Sequence, residues 1–208
     1  MTRCECHEIH VPKKVVLTGG PGAGKTAALE LVRQSFCAHV FVLPEAAGIV
    51  FGGGFPRSDA LATRRAGQRA IYYVQRELES VAEASAPALI LCDRGTVDSA
   101  AYWPGPGEYW PSLATTLEAE LARYDAVIHL RTPTRSNGYN HANPLRIETA
   151  AEAQAIDARL AEAWATHPNR YEVKPSIHFL DKAAAVLGIL RGLVPACCGV
   201  PGDAGPGR

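Results

Sequence analysis

Apolar residues in this chain come in short, solid runs separated by stretches whose apolar positions recur at helical spacing. Val15-Val16-Leu17-Thr18 is apolar and β-branched, the make-up of a strand covered on both faces. His39 to Leu43, Ala88 to Cys92 and Ala126 to Leu130 share that character, and a weaker fifth strand is expected over Tyr171 to Phe179, broken by Pro175. Between them, Ala28, Leu29, Leu31, Val32 and Phe36 predict a helix over about 25–36. Ile71, Val74, Leu78 and Val81 form an apolar stripe on a long helix from Asp59 to about Ala84, decorated by Arg64, Arg65, Gln68, Arg69 and Gln75. A short helix is expected over 96–102, and Leu113, Leu117 and Leu121 mark another. Thr149 and Glu152 have the spacing of a capping box, opening a helix with an apolar face of Ala153, Ile156, Leu160, Ala163 and Trp164. Asp181 can cap a last helix carrying Val186, Leu187 and Leu190. Strands alternating with helices predict an α/β fold: a five-stranded parallel sheet with helices on both faces and right-handed connections.

The first strand runs directly into G-G-P-G-A-G-K-T, a full match to the phosphate-loop pattern, and a predicted helix follows, which is the context that pattern requires. The fold expected is therefore that of a P-loop NTPase. Gly19, Gly20, Gly22 and Gly24, with Pro21 and Ala23, let backbone amides approach a polyphosphate closely. The helix that begins with Lys25, Thr26 and Ala27 points its positive end at the same anion. Lys25 is expected to reach the β- and γ-phosphates, and the Thr26 hydroxyl to complete a Mg²⁺ shell.

Further candidates follow the strands. Glu45 lies just past the carboxyl end of the second strand, where an open α/β sheet binds ligands; the alternative is an ordinary first-turn glutamate that suits the helix dipole. Asp93 and Arg94 follow the third strand at once. An aspartate there, downstream of a phosphate loop, organises Mg²⁺ directly or through water, and the adjacent arginine can stabilise charge on a transferring phosphoryl group. The bland alternatives are a helix N-cap for Asp93 and a surface arginine for Arg94. FGGGFPRS at 51–58 reads as a substrate flap or a turn. The loop at 102–110, with Tyr102, Trp103, Tyr109 and Trp110, is either a wall for a ring-bearing substrate or a loop pinned to the core by its aromatics. An acceptor pocket is expected around Glu45, Phe55 and Trp103. The turn-rich stretch at about 131–147 carries Arg131, Arg135 and Arg146, the make-up of a lid that closes on a triphosphate.

Composition narrows the options. The 208 residues carry 21 acidic and 21 basic side chains, so no broad electrostatic surface for nucleic acid is expected. No apolar run approaches the ~20 residues of a membrane span, and the first residues hold no secretory core, so a cytoplasmic location is expected. The chain divides into a leader at 1–12, one domain at 13–192 and a Gly/Pro-rich tail at 193–208. The six cysteines form no repeating framework, and Cys37 and Cys92 are expected as buried thiols. Cys4, Cys6, His7 and His10 offer metal-binding groups, but in no standard zinc spacing and with no matching second knuckle. The stretch therefore reads as a flexible leader.

TGGPGAGKT, PEAA at 44–47, GGFPR at 53–57, CDRG at 92–95 followed by Asp98, and GYN at 138–140 before NPLR at 143–146 together resemble the NadR-type P-loop kinases. These are grouped with AAA-type ATPases and resemble nucleoside and nucleotide kinases, and the likeness covers roughly 13–190. It implies that Glu45 sits near an accepting hydroxyl, that Asp93 and Arg94 join catalysis, and that the lid arginines clamp phosphates. The same family includes GTP- and phosphoinositide-binding proteins, and no adenylyltransferase domain is expected beside the kinase-like region. The chain lacks an N-K-x-D motif, so ATP is the expected nucleotide, with GTP left open, and no arginine-finger motif supports a hexameric motor. The expected activity is transfer of the ATP γ-phosphate, with Mg²⁺, to a small hydroxylated acceptor such as a nucleoside-like metabolite. Asp93 or Glu45 would serve as the base. The alternative is a nucleotide-dependent (ATP/GTP) switch or a phosphoinositide-binding protein with only slow hydrolysis, and a homodimer is left open.

Overall fold

The structure, a computed structural model, describes residues 6, 9–133, 149–176 and 179–198. Five parallel strands, β1 (Lys13–Thr18), β2 (Val40–Leu43), β3 (Leu89–Asp93), β4 (Ala126–Leu130) and β5 (Arg170–Val173), lie side by side in the order β2-β3-β1-β4-β5. Central β1 pairs with β3 on one side, Val15 opposite Leu91, and with β4 on the other, Leu17 opposite Ile128. The helices are α1 (Lys25–Ser35), α2 (Ala46–Gly52), α3 (Leu61–Ala84), α4 (Asp98–Ala101), α5 (Leu117–Leu121), α6 (Ala150–Ala163) and α7 (Phe179–Leu193).

The solid apolar runs have the reason expected of them. Alternate strand residues face opposite sides, and helices cover both. Val15, Leu17, Leu91 and Ile128 pack with Leu29 and Val32 of α1 and Val186 and Leu190 of α7. Val16, Ile90 and Val127 pack on the other side with Ala82 of α3, Leu121 of α5 and Trp164. Each wholly buried side chain of this size contributes about 1.5–3 kcal/mol. The capping box is present: Thr149 Oγ1 accepts from the Glu152 amide at 3.2 Å, and the Glu152 carboxylate accepts from the Thr149 amide at 2.7 Å.

Two expectations are corrected. The buried side of α3 is Tyr72, Gln75, Glu79 and Ala82, whereas Val81 is 70% exposed. Glu79 is wholly buried because its charge is met on several sides: Gln75 donates to it at 2.9 Å, the Tyr124 hydroxyl at 2.7 Å and Arg123 at 2.5 Å, with Lys14 at 3.5 Å. A count of hydrophobic positions cannot register a carboxylate satisfied in this way. The fifth strand stops at Val173, and Phe179 opens α7, because Pro175 has no amide to extend the ladder. Asp181 lies in the first turn of α7 and accepts from the Ser176 hydroxyl at 2.7 Å.

Candidate nucleotide site at the carboxyl ends of the strands

The phosphate loop leaves β1 at Thr18 and is pressed against the end of β4. Gly19 sits at φ +144°, and a Cβ there would lie 2.2 Å from the Leu130 carbonyl oxygen. A Cβ on Gly20 would meet Thr132 Oγ1 at 2.5 Å and the Ala153 carbonyl oxygen at 2.8 Å, so this position also requires glycine. At the start of α1, Gly24 provides no side-chain cap and the first turn has no acidic residue. The first amides of the helix are thereby left for an anion. Lys25 Nζ folds back to donate to the carbonyls of Gly19 at 2.9 Å and Gly20 at 3.4 Å. Burial, with Arg94 nearby, lowers its pKa to about 8, against the opposing pull of Asp93, Glu45 and Asp98. Thr26 and Ala27 are exposed at the mouth of the loop.

Polar groups far away in sequence hold this loop from behind. Asp157 of α6 accepts from the Gly20 amide at 3.1 Å, meets His129 Nε2 at 2.9 Å and pairs with Arg131 Nε at 2.9 Å. Burial pushes its pKa up, but these partners outweigh it and leave the carboxyl below its usual range. Lys182 of α7 donates to the Ala23 carbonyl at 3.1 Å and the Arg131 carbonyl at 3.0 Å. Arg131, expected on the lid, is thus part of the scaffold behind the loop. The other lid residues, Arg135 and Arg146, together with the GYN and NPLR segments, lie outside the described residues.

Beside the phosphate loop, β3 delivers Asp93. Its Oδ1 is buried and has no hydrogen-bond partner among the described residues. Burial raises its pKa to about 6, despite the Lys25 charge. Arg94 follows at φ +73°, a conformation a non-glycine residue adopts only when its surroundings enforce it. Those surroundings are visible. The Arg94 amide donates to the Leu17 carbonyl at 3.2 Å, its Nε to Glu45 Oε1 at 2.7 Å, and its guanidinium to Asp98 Oδ1 at 3.3 Å. Asp98 is 2% exposed and also accepts from the Gly95 amide at 3.0 Å, Trp164 Nε1 at 3.1 Å and the Thr18 hydroxyl at 2.5 Å. It is the anchor of the whole turn. Glu45 takes the N-cap position of α2 but makes no capping hydrogen bond; its carboxylate goes to Arg94 instead. Burial raises the Glu45 pKa, yet Arg94 and Lys25 together bring it below its ordinary value. α4 begins at Asp98 with Val97 as its N-cap, so Asp93 caps no helix, and the Arg94 side chain is only 15% exposed.

A cavity of about 440 Å³ opens against this turn, walled by Pro21 of the phosphate loop, Glu45, Arg94, Tyr102, Phe51, Arg57 and Gln68. Arg57 lies 4.5 Å from the Phe51 ring centre and Arg94 lies 5.3 Å from that of Tyr102. Phe55 and Trp103 are not among its walls, so the expected pocket keeps Glu45 and loses both aromatics. Trp103 packs on Tyr109 at 5.1 Å and Tyr109 on Trp110 at 4.8 Å, in a cluster with Tyr72 and Leu113. The aromatic loop is pinned to the core, and only Tyr102 at its start reaches the cavity. Sequence reasoning noted Asp98 only through the resemblance and missed Asp157, His129 and Lys182 as parts of the site. Asp98, five positions after Asp93 and at the start of a short helix, was within reach of inspection; the other three carry no local signal.

A strand, a glycine-bound phosphate loop and a helix with open amides, at the carboxyl edge of a parallel sheet, define a P-loop nucleotide-binding protein. Residues 14–180 match the family model described as AAA domain, and the chain belongs to that family. No curated protein matches it.

Proposed function

We propose that this AAA-family protein is a small-molecule kinase, transferring the γ-phosphate of ATP to a hydroxyl of a nucleoside-like or similar metabolite. The observation that carries the reading is the Glu45–Arg94 pair, at 2.7 Å, which forms a wall of the cavity adjoining the phosphate loop. A switch has no use for an ion pair facing a pocket next to its phosphates; a kinase needs a group there to hold the acceptor. The cavity suits a ring with polar edges, since Phe51 and Tyr102 supply faces and Gln68 and Arg57 supply hydrogen-bond donors.

The division of labour follows from position. Glu45 faces the cavity and Asp93 is not among its walls. Glu45 therefore orients the acceptor hydroxyl and takes its proton as the phosphoryl group is transferred. Arg94, fixed by Glu45 and Asp98, directs its charge to where the acceptor and the γ-phosphate meet. Lys25 leaves the Gly19 and Gly20 carbonyls for the β- and γ-phosphates, a short swing for a side chain already in the loop. Arg135 and Arg146 are assigned to clamp the phosphates from the lid.

Asp93 Oδ1, without a hydrogen-bond partner among the described residues, and the exposed Thr26 hydroxyl fit a hydrated Mg²⁺, and those two residues would hold it. A bound ion there would supply positive charge to offset the charge of the triphosphate.

The test is ATP consumption with Mg²⁺, alone and against a panel of nucleosides, nucleotides and other hydroxylated metabolites. One acceptor should raise turnover about a hundredfold or more, the scale of general-base assistance, and Glu45→Gln should abolish that gain while nucleotide still binds. If nucleotide binds tightly and no acceptor stimulates, the kinase reading fails and a nucleotide-dependent switch takes its place.

A further inference from the structure

The opposite edge of the sheet holds a second concentration of chemistry. Cys6 and His10 lie on the approach to β1, Cys37 and His39 between α1 and β2, and Cys197 and Cys198 just beyond α7. Parallel strands put the starts of β1 and β2 at the same end of the sheet, with β3 between them, and α7 returns the chain to that end, where Lys13 Nζ donates to the Leu193 carbonyl at 3.2 Å. Three segments remote in sequence therefore bring six thiol and imidazole groups to one place.

Neighbouring pairs among them are spaced as zinc ligands are. Cys6 Sγ lies 3.5 Å from His10 Nε2, and Cys197 Sγ lies 3.7 Å from the same nitrogen. Cys198 Sγ lies 3.6 Å from His39 Nδ1 and 3.7 Å from Cys197 Sγ. Zinc bound at about 2.3 Å to sulfur and 2.0–2.1 Å to nitrogen, in a tetrahedron, sets its ligand atoms about 3.3–3.8 Å apart. All four contacts fall in that range. Three overlapping triads, Cys6-His10-His39, His10-Cys197-Cys198 and Cys37-His39-Cys198, each keep their ligand atoms within 4.8 Å of one another. No carboxylate joins any of these triads, so the donor set is sulfur and nitrogen throughout. Cys198 is wholly buried and Cys197 is exposed, so the cluster runs from the core to the surface and an ion has a way in.

We propose that this cluster is a structural zinc site that draws its ligands from these overlapping triads: His10, His39 and Cys198, each shared by two of them, with a second thiolate from Cys6 or Cys197. A mixed thiolate–imidazole tetrahedron selects zinc-type cations over magnesium or calcium, which take oxygen ligands. Four protein ligands leave no open position for substrate, and the site sits at the edge of the sheet away from the phosphate loop, so its role is to fasten. It clips the segment before β1 and the segment after α7 to the start of β2. The Cys-x-x-x-His spacing at Cys6 and His10 is only half a site in sequence, and the fold supplies the other half.

The experiment uses the full-length chain, purified without chelator. Bound zinc is measured by mass spectrometry and by release to a chromogenic indicator on thiol modification. Cobalt replacing the zinc reports thiolate ligands by its near-ultraviolet charge-transfer band and tetrahedral geometry by its visible bands. One equivalent of zinc per chain is expected, with a cobalt spectrum of two thiolates. His10→Ala and the double variant Cys6→Ser/Cys197→Ser should each lose the metal and keep the wild-type far-ultraviolet circular dichroism, because these side chains lie at the surface end of the cluster. Cys92→Ala, outside the cluster, should retain it. Substoichiometric zinc without a cobalt thiolate band in the wild type would overturn the proposal. So would undiminished zinc in both ligand variants, or an intact mass lighter by two hydrogens, showing a disulfide among these cysteines.

Discussion

Asp157 offers a sharp test of how the phosphate loop is held. Asp157→Ala removes the acceptor shared by the Gly20 amide, His129 and Arg131. Asp157 is 3% exposed and His129 wholly buried, so water cannot easily take the lost place. An unpaired buried amide and an unpaired buried imidazole each cost about 1–3 kcal/mol. Arg131, with 30% of its side chain exposed, is resolvated more cheaply and contributes under about 1 kcal/mol. The total is about 2–7 kcal/mol, a large share of the ~5–15 kcal/mol that stabilises a typical domain. With a urea dependence of about 2 kcal/mol per molar, the unfolding midpoint should fall by roughly 1–3.5 M. Asp157→Asn keeps an oxygen for the Gly20 amide but gives up the charge and turns an NH2 toward the Arg131 Nε donor, so its loss should be about 1–2 kcal/mol, smaller than that of the alanine.

The same variant separates the loop's support from general packing. The Gly20 amide belongs to the loop, so in Asp157→Ala nucleotide affinity should fall by about tenfold or more in conditions where the protein remains folded, one freed hydrogen bond's worth. Urea unfolding followed by tryptophan fluorescence, together with nucleotide titration calorimetry, gives both quantities. A midpoint shift below about 0.5 M with unchanged affinity would refute the claim that this carboxylate holds the loop.

Three further outcomes follow from the site. Lys25→Ala should lower phosphoryl transfer by on the order of 10²-fold or more, and an unchanged rate in steady-state assays would remove it from the mechanism. Asp93 has a folded pKa of about 6 against an ordinary 3.8, so the fold favours its protonated form and its charge costs stability above pH 6. That cost shrinks as pH falls from 6 to 3.8 and is gone below, so Asp93→Asn should raise Tm at pH 7.5 and leave it unchanged near pH 3.5; equal melting at pH 7.5 would contradict this. Lys25, at about 8, is partly neutral in the free protein above that pH, and a bound polyphosphate favours its charged form. Nucleotide binding at pH 8.5 should therefore take up protons, seen as a dependence of calorimetric heat on buffer ionisation enthalpy; equal heats in all buffers would show that Lys25 keeps its proton throughout.

The parts legible in sequence were those written locally. A phosphate loop occupies eight consecutive positions, and a strand buried on both faces reads as an unbroken apolar run, so the sheet and its first loop could be placed from composition and spacing. Glu45 and Arg94 were each picked out by position after a strand, but their pairing across 49 residues required the fold. The bond from Asp157 to Gly20 spans 137 residues, and an aspartate on an amphipathic helix gives no sign that it faces inward. Glu79 on α3 is the same lesson reversed: the apolar stripe named Val81, while the buried face contains a carboxylate neutralised by Lys14 and Arg123. In both cases a charge was buried because distant partners met it, and hydrophobic patterning records only the solvent's preference. The Gly20 carbonyl faces Lys25 while its amide is held by Asp157, and Lys182 holds the Ala23 carbonyl. The loop's two sides thus belong to different parts of the chain: the side toward phosphate is fixed by the motif, and the side away from it by α6 and α7. A phosphate-loop match therefore specifies what can bind, and the groups behind it, written more than a hundred residues later, govern how firmly the loop is shaped to do so.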